Sequence, residues 1–106
     1  MRLLPQPATE DIRLTEVLHA LADPARLDVI TQLAAEAELT CSGVGESIGL
    51  HKSTMSHHYR VLRESGVVST RQEGRKKFMT LRKADLDQRF PGLLDSVLGA
   101  VLGAVR

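Results

Sequence analysis

A single cysteine, no tryptophan and only three other aromatic residues (Tyr59, Phe78 and Phe90) set this 106-residue chain apart by what it has little of. With Cys41 alone, no intrachain disulfide can form, which suits a reducing compartment. Scarce aromatics argue against a stacking platform for single-stranded nucleic acid or sugars. Long apolar runs are missing too. The longest, residues 97–105, is broken by Gly99 and Gly103 and is far too short to span a bilayer. Met1–Pro5 is too short for the apolar core of a secretory signal. A single-domain, soluble, cytoplasmic protein is expected, with no membrane partner.

Signatures of catalysis are equally thin. Gly43-x-Gly45 lacks the Lys-Ser/Thr that would make a phosphate loop. No Asp or Glu stands within two helical turns of His57 on its face to orient it as a base, since Glu64 is seven residues on. The expectation is a non-enzyme without catalytic residues or cofactors.

What the chain does have is a division of charge. The net charge of +1 hides a segment, His51–Lys83, with nine basic residues against Glu64 and Glu73, or +7. The rest holds five basic and eleven acidic residues, or −6. A solvated charged face is one reading of this split. A surface built for a polyanion fits it better.

Residues 1–8, with Pro5 and Pro7 and no periodicity, read as a flexible arm before one domain over 9–106. Thr9-Glu10-Asp11 predicts a helix start, with Leu14, Val17, Leu18 and Leu21 at helical spacing through Ala22. Asp23-Pro24 predicts a capped second helix to about Ala37, burying Leu27, Ile30, Leu33 and Ala34. Thr40 caps a third helix with Cys41, Val44 and Ile48 on one face, closed by Gly49. A fourth runs from near Ser53 to Gly66, so residues 41–65 have helix-turn-helix spacing.

Val67–Gln72 and Lys77–Arg82 then read as strands around the turn Glu73-Gly74-Arg75-Lys76. A basic hairpin in that position is a wing suited to a phosphate backbone. After a helical turn at 84–89, Pro91 opens a last helix. Its Leu94, Leu98, Val101 and Val105 form a helix–helix seam, which with Leu14 and Leu18 predicts a homodimer interface. The fold class expected is mainly α with a β-hairpin wing, a winged helix-turn-helix dimerising through terminal helices.

The stretch HKSTMSHHYRVL (51–62) holds three histidines. Helical geometry separates them, because neighbours diverge by about 100°. Met55, Tyr59 and Leu62 form a buried stripe, with His58 beside it as a partly buried histidine satisfied by backbone. Ser53, Thr54, Ser56, His57 and Arg60 make an outward face suited to a major groove. Lys52, Arg63, Arg75, Lys76 and Lys77 are expected on phosphates. Metal ligands are not expected here, because no carboxylate or second thiol lies at ligand spacing.

Leu21-Ala22-Asp23-Pro24-Ala25-Arg26-Leu27, then Ser53-Thr54-Met55-Ser56-His57-His58-Tyr59-Arg60-Val61-Leu62-Arg63-Glu64-Ser65-Gly66-Val67-Val68, then Glu73-Gly74-Arg75, resemble the ArsR (SmtB/ArsR) family of bacterial winged-helix repressors. The likeness covers roughly residues 10–82. It implies a homodimer on double-stranded operator DNA, acting as a repressor released by an effector that the sequence does not name. Where metal-sensing members carry Cys-x-Cys, this chain has Thr40 and Ser42 around Cys41, and no histidine follows His58. The resemblance therefore transfers DNA binding and not the familiar metal sites. Two alternatives stay open: a metal- or redox-responsive sensor pairing Cys41 across subunits, and a winged-helix module for protein contacts.

Overall fold

A computed structural model describes residues 1–103. Its elements in chain order are β1 (Arg2–Leu3), a 3₁₀ turn (Thr9–Asp11), α1 (Leu14–Leu21), α2 (Pro24–Ala35), β2 (Leu39–Thr40), α3 (Cys41–Ile48), α4 (Lys52–Glu64), β3 (Val68–Glu73), β4 (Lys76–Leu81), α5 (Lys83–Arg89) and α6 (Leu93–Gly103). The expected winged helix-turn-helix is what the chain adopts.

The first helix starts later than Thr9 predicts. Ile12 leaves helical geometry (φ −70°, ψ 126°) and buries its side chain at 1% exposure, so α1 begins only at Leu14. Thr9 caps nothing and instead donates its hydroxyl to Asp85 Oδ1 at 2.8 Å. Ile12 packs beneath Gly66, the left-handed residue (φ 89°) that ends α4; a Cβ there would sit 2.6 Å from Ile12 Cγ1. Gly66 is thus required both by its backbone angle and by the space that Ile12 fills.

Asp23-Pro24 starts α2 as expected: Asp23 Oδ1 accepts from the Ala25 and Arg26 amides at 2.8 and 3.1 Å. The buried face is Arg26, Val29, Ile30 and Leu33, while Leu27 is half-buried and Ala34 exposed. The predicted face was therefore rotated by one residue. Val29, Ile30 and Leu33 join Val17, Ala20, Val44, Met55, Leu62, Val67, Val68 and Met79 in one core.

The sheet is antiparallel with strand order β1-β3-β4-β2, and the wing registers Val68 with Leu81 through Glu73 with Lys76. Only Gly74 and Arg75 remain for the turn, two residues fewer than expected. The glycine takes the first central position with φ 60°. Residues 1–8, expected to be a flexible arm, lie along the outer edge of β3. Arg2 and Leu3 pair with Gln72 and Arg71, and Leu4 N donates to Thr70 O at 2.9 Å with its side chain 8% exposed. Farther on, Ser69 Oγ donates to Gln6 Oε1 at 2.8 Å and Arg82 Nη1 to Pro7 O at 2.7 Å. An unpaired strand edge and a buried leucine give the arm a place that its prolines did not announce.

Candidate nucleic-acid interface

The helix-turn-helix is set by three local caps. Thr40 Oγ1 accepts from Gly43 N at 3.1 Å and opens α3. Gly49, left-handed at φ 81°, closes it. His51 then caps α4: its Nδ1 accepts from the Ser53 amide at 3.2 Å and lies 2.8 Å from Ser53 Oγ. A histidine cap extends α4 one residue ahead of the predicted start and engages one of the three histidines of the cluster.

The faces of α4 separate the rest. Lys52, Ser53, Thr54, Ser56, His57 and Arg60 are all exposed, whereas Met55, His58 and Leu62 are buried. Arg60 Nη2 lies 3.4 Å from His57 Nδ1, so this cation rests against the outward histidine. Tyr59 is half-buried and donates its hydroxyl to Cys41 O at 2.7 Å, bracing α4 against the start of α3. His58, expected from the sequence to be satisfied by backbone, is instead partnered by a side chain. Its Nδ1 faces the guanidinium of Arg26 at 3.0 Å. Arg26 is the residue that sequence reasoning misses. The available signal was its place with Val29, Ile30 and Leu33 at i, i+3, i+4 and i+7, a core face.

The nine basic residues of 51–83 fall into two groups. Arg71 makes a forked pair with Glu38, also reaches Glu73 at 3.5 Å, and stacks 4.5 Å over the Phe78 ring. Arg82 is 8% exposed and bonds Asp85 at 2.9 Å, and Lys83 pairs with Asp87 and Asp95 at 2.6 and 3.4 Å. Lys52, Arg60, Arg63, Arg75, Lys76 and Lys77 have no acidic partner among the described residues. Arg63 is tethered instead by its Nε to Pro5 O at 3.1 Å, which ties the end of α4 to the arm. A groove of about 700 Å³ runs between α3, α4 and the wing, with Lys52, Arg63, Lys76 and Lys77 on its walls. Of the predicted base-facing residues Ser56 lines this groove, whereas Ser53, Thr54, His57 and Arg60 do not.

Cys41 lies in the same groove, half-buried, and burial pushes its thiol up to about 11 although Lys77 and Arg63 pull the other way. Among the described residues, no group of three His, Cys, Asp or Glu is placed to hold a metal ion. No helix among the described residues is long and apolar enough to cross a membrane.

The predicted dimer residues separate. Leu14 and Leu18 on α1 are each 45% exposed, and Leu98 and Val101 on α6 are half-buried. Leu94 is a correction: at 1% exposure it belongs to the subunit's own core, because α6 packs that side against α2. The outer edge of α6 is Leu102, 58% exposed. Val105 lies outside the described residues.

Residues 21–71 match the family model described as a helix-turn-helix domain. The chain is 34% identical over 90 residues to YceK of Bacillus subtilis, an uncharacterised HTH-type transcriptional regulator, covering 84% of this chain and 90% of that one. It is 32% identical to the arsenical resistance operon repressor of Staphylococcus xylosus over 70% of each chain. The solved structure of an ArsR family transcriptional regulator superposes with a TM-score of 0.68 over 78% of this chain and 90% of that one. At 24% identity, that is a likeness of fold.

Proposed function

The chain belongs to the ArsR family of helix-turn-helix transcriptional regulators, and from that we propose that it is a repressor that grips operator DNA as a homodimer. It is a DNA-binding transcriptional regulator and not an enzyme. The observation that carries the fuller reading is the sorting of the basic residues. Six cations on α4 and the wing have no acidic partner among the described residues, while three others are consumed by pairs inside the subunit. In our reading, Ser53, Thr54, Ser56, His57 and Arg60 enter the major groove. Lys52 and Arg63 grip the flanking phosphates, and Arg75, Lys76 and Lys77 carry the wing along the backbone.

Support for a second copy comes from α1 and α6. Leu14, Leu18 and Leu102 are apolar and exposed, and half-buried Leu98 and Val101 lie on α6. An apolar surface on the terminal helices is stabilised by burial against a partner. Two subunits related by a two-fold axis require half-sites spaced by about one helical turn of DNA or a multiple. The place of work for such a protein is the cytoplasm.

The test is a titration of DNA bound by wild-type protein at several salt concentrations, with the oligomer mass measured in parallel. Affinity should fall linearly on a log–log plot, with a slope near −0.9 for each phosphate neutralised. A two-subunit mass and a palindromic footprint are expected. An affinity indifferent to salt, or a monomer covering a single half-site, would overturn the reading.

A further inference from the structure

Three helices meet at one side chain. Arg26, 7% exposed, donates from Nε to Ala20 O at 2.6 Å and from Nη2 to His19 O at 3.3 Å, both in the last turn of α1. Its third nitrogen, Nη1, lies 3.0 Å from Nδ1 of His58 on α4. The backbone of Arg26 is itself fixed, because its amide and that of Ala25 bond the Asp23 carboxylate that starts α2. Burial alone would raise that carboxyl, but the effects led by the bond from the Arg26 amide outweigh it and hold the group below the usual carboxylate range. A buried guanidinium is therefore satisfied by the carbonyl end of one helix and by an imidazole, while the Asp23 carboxylate fixes its backbone.

The chemistry of the last contact is directional. A guanidinium carries only donors, so the bond exists only while Nδ1 offers its lone pair and the ring proton sits on Nε2. His58 is buried on the inner side of α4, directly behind the face that carries His57 and Arg60; the rings of His57 and His58 lie 5.9 Å apart. Any rotation or slide of α4 against the α1–α2 pair must stretch the Arg26–His58 bond. A leucine in place of either partner could fill the volume but could not hold that register.

We propose that Arg26, acting through His58, is the positioning residue for DNA recognition, fixing the angle at which α4 presents its outward face relative to α1 and α2. This rests on the reading of α4 as the recognition helix. Neither residue needs to touch DNA. A small error in helix angle displaces side chains that must meet base edges, while flexible lysines and arginines follow the phosphates regardless. The signature is thus a loss of discrimination rather than of all binding.

The experiment compares wild type with His58→Leu, Arg26→Met and His58→Asn on two duplexes: one selected by the wild-type protein from a random-sequence pool, and a scrambled copy. The shorter amide of His58→Asn places Oδ1 close to where Nδ1 stood, so it restores an acceptor for Arg26. Affinity of His58→Leu and Arg26→Met for the selected duplex should fall by about tenfold or more, the scale of one buried charge-assisted hydrogen bond. Affinity for the scrambled duplex should change by less than about threefold, because phosphate contacts dominate it. His58→Asn should recover most of the discrimination. In the wild type, long-range ¹H–¹⁵N spectra should show His58 protonated on Nε2 and bare on Nδ1. Equal losses on both duplexes, unchanged discrimination in a folded His58→Leu, or a proton found on Nδ1 would each overturn the proposal. Circular dichroism of each variant shows whether it is folded. If His58→Leu does not fold, the tautomer and His58→Asn decide the matter. A wild type that prefers no duplex from the pool would instead overturn the reading of α4, and the positioning role with it.

Discussion

Arg71 reaches across the sheet from β3 to the Glu38 carboxylate, ahead of β2, with both guanidinium edges engaged while its plane rests on Phe78. Three interactions hold a cation that by sequence alone is one of the nine basic residues of 51–83. Glu38 feels it too: the hydrogen bond from Arg71 lowers its carboxyl from the usual range. The expectation is that Arg71→Ala leaves the salt dependence of DNA binding unchanged. A slope reduced by a full phosphate contact would instead put Arg71 at the interface. Because the folded-state value of Glu38 is lowered, whatever the pair contributes to stability is present above the carboxylate range. It disappears as pH falls through that lowered value.

The wing and the recognition helix should respond differently to charge removal. Arg75→Ala with Lys76→Ala should weaken binding to every sequence alike and shrink the log–log salt slope by about two per subunit. Arg60→Ala should in addition blur sequence preference, since it lies on the outward face of α4 against His57. Binding-site selection with each variant separates the two effects. If the wing variant changed the selected sequence while Arg60→Ala did not, the assignment of the two surfaces would be reversed.

Capping chemistry and apolar period made much of this structure legible in the chain. Asp23-Pro24, Thr40, Gly49 and the basic hairpin appear where they were expected because each acts through neighbours a few residues away. The larger misses are contacts between distant positions. Ile12 breaks the first helix for the sake of Gly66, 54 residues on. The arm is ordered by Arg63 and Arg82, and Arg26 meets His58 across 32 residues. Composition marks arginine as a surface residue, so the three arginines that hold the fold together (Arg26, Arg71 and Arg82) were the hardest to assign.

Two glycines with left-handed backbones offer a controlled comparison. Gly66 has φ 89° and Ile12 Cγ1 within 2.6 Å of a built Cβ, whereas Gly74 has φ 60° and open space. Gly74→Ala should cost about 1 kcal/mol from backbone strain alone. Gly66→Ala adds overpacking against Ile12 and should cost on the order of 2–4 kcal/mol. Denaturant unfolding measures both. Equal costs would mean that Ile12 yields without penalty.

The arm should come loose when its anchor is removed. Arg82 is 8% exposed, bonds Pro7 O at 2.7 Å and Asp85 at 2.9 Å, and Asp85 in turn accepts from Thr9. Arg82→Ala leaves these acceptors without their donor and should destabilise the fold by about 1–3 kcal/mol. Limited proteolysis should then cut within residues 1–8 faster than in the wild type. An arm cleaved at the same rate in both would show that pairing with β3 holds it without Arg82.

Cys41 is the residue on which the sensor alternative depends, and its setting argues for an inert thiol. Burial raises it from 9.0 to about 11, outweighing the pull of Lys77 and Arg63. A thiol is nucleophilic only as thiolate, so at neutral pH maleimide should label the folded protein far more slowly than the denatured chain. The sign for stability follows: the unfolded thiol ionises first, so the contribution is complete below pH 9 and is lost as pH rises toward about 11. Cys41→Ala should flatten that alkaline limb and leave DNA affinity as it was. Rapid labelling at pH 7, or an interchain disulfide forming under mild oxidant with loss of DNA binding, would instead favour a redox-responsive regulator working through Cys41 across the dimer.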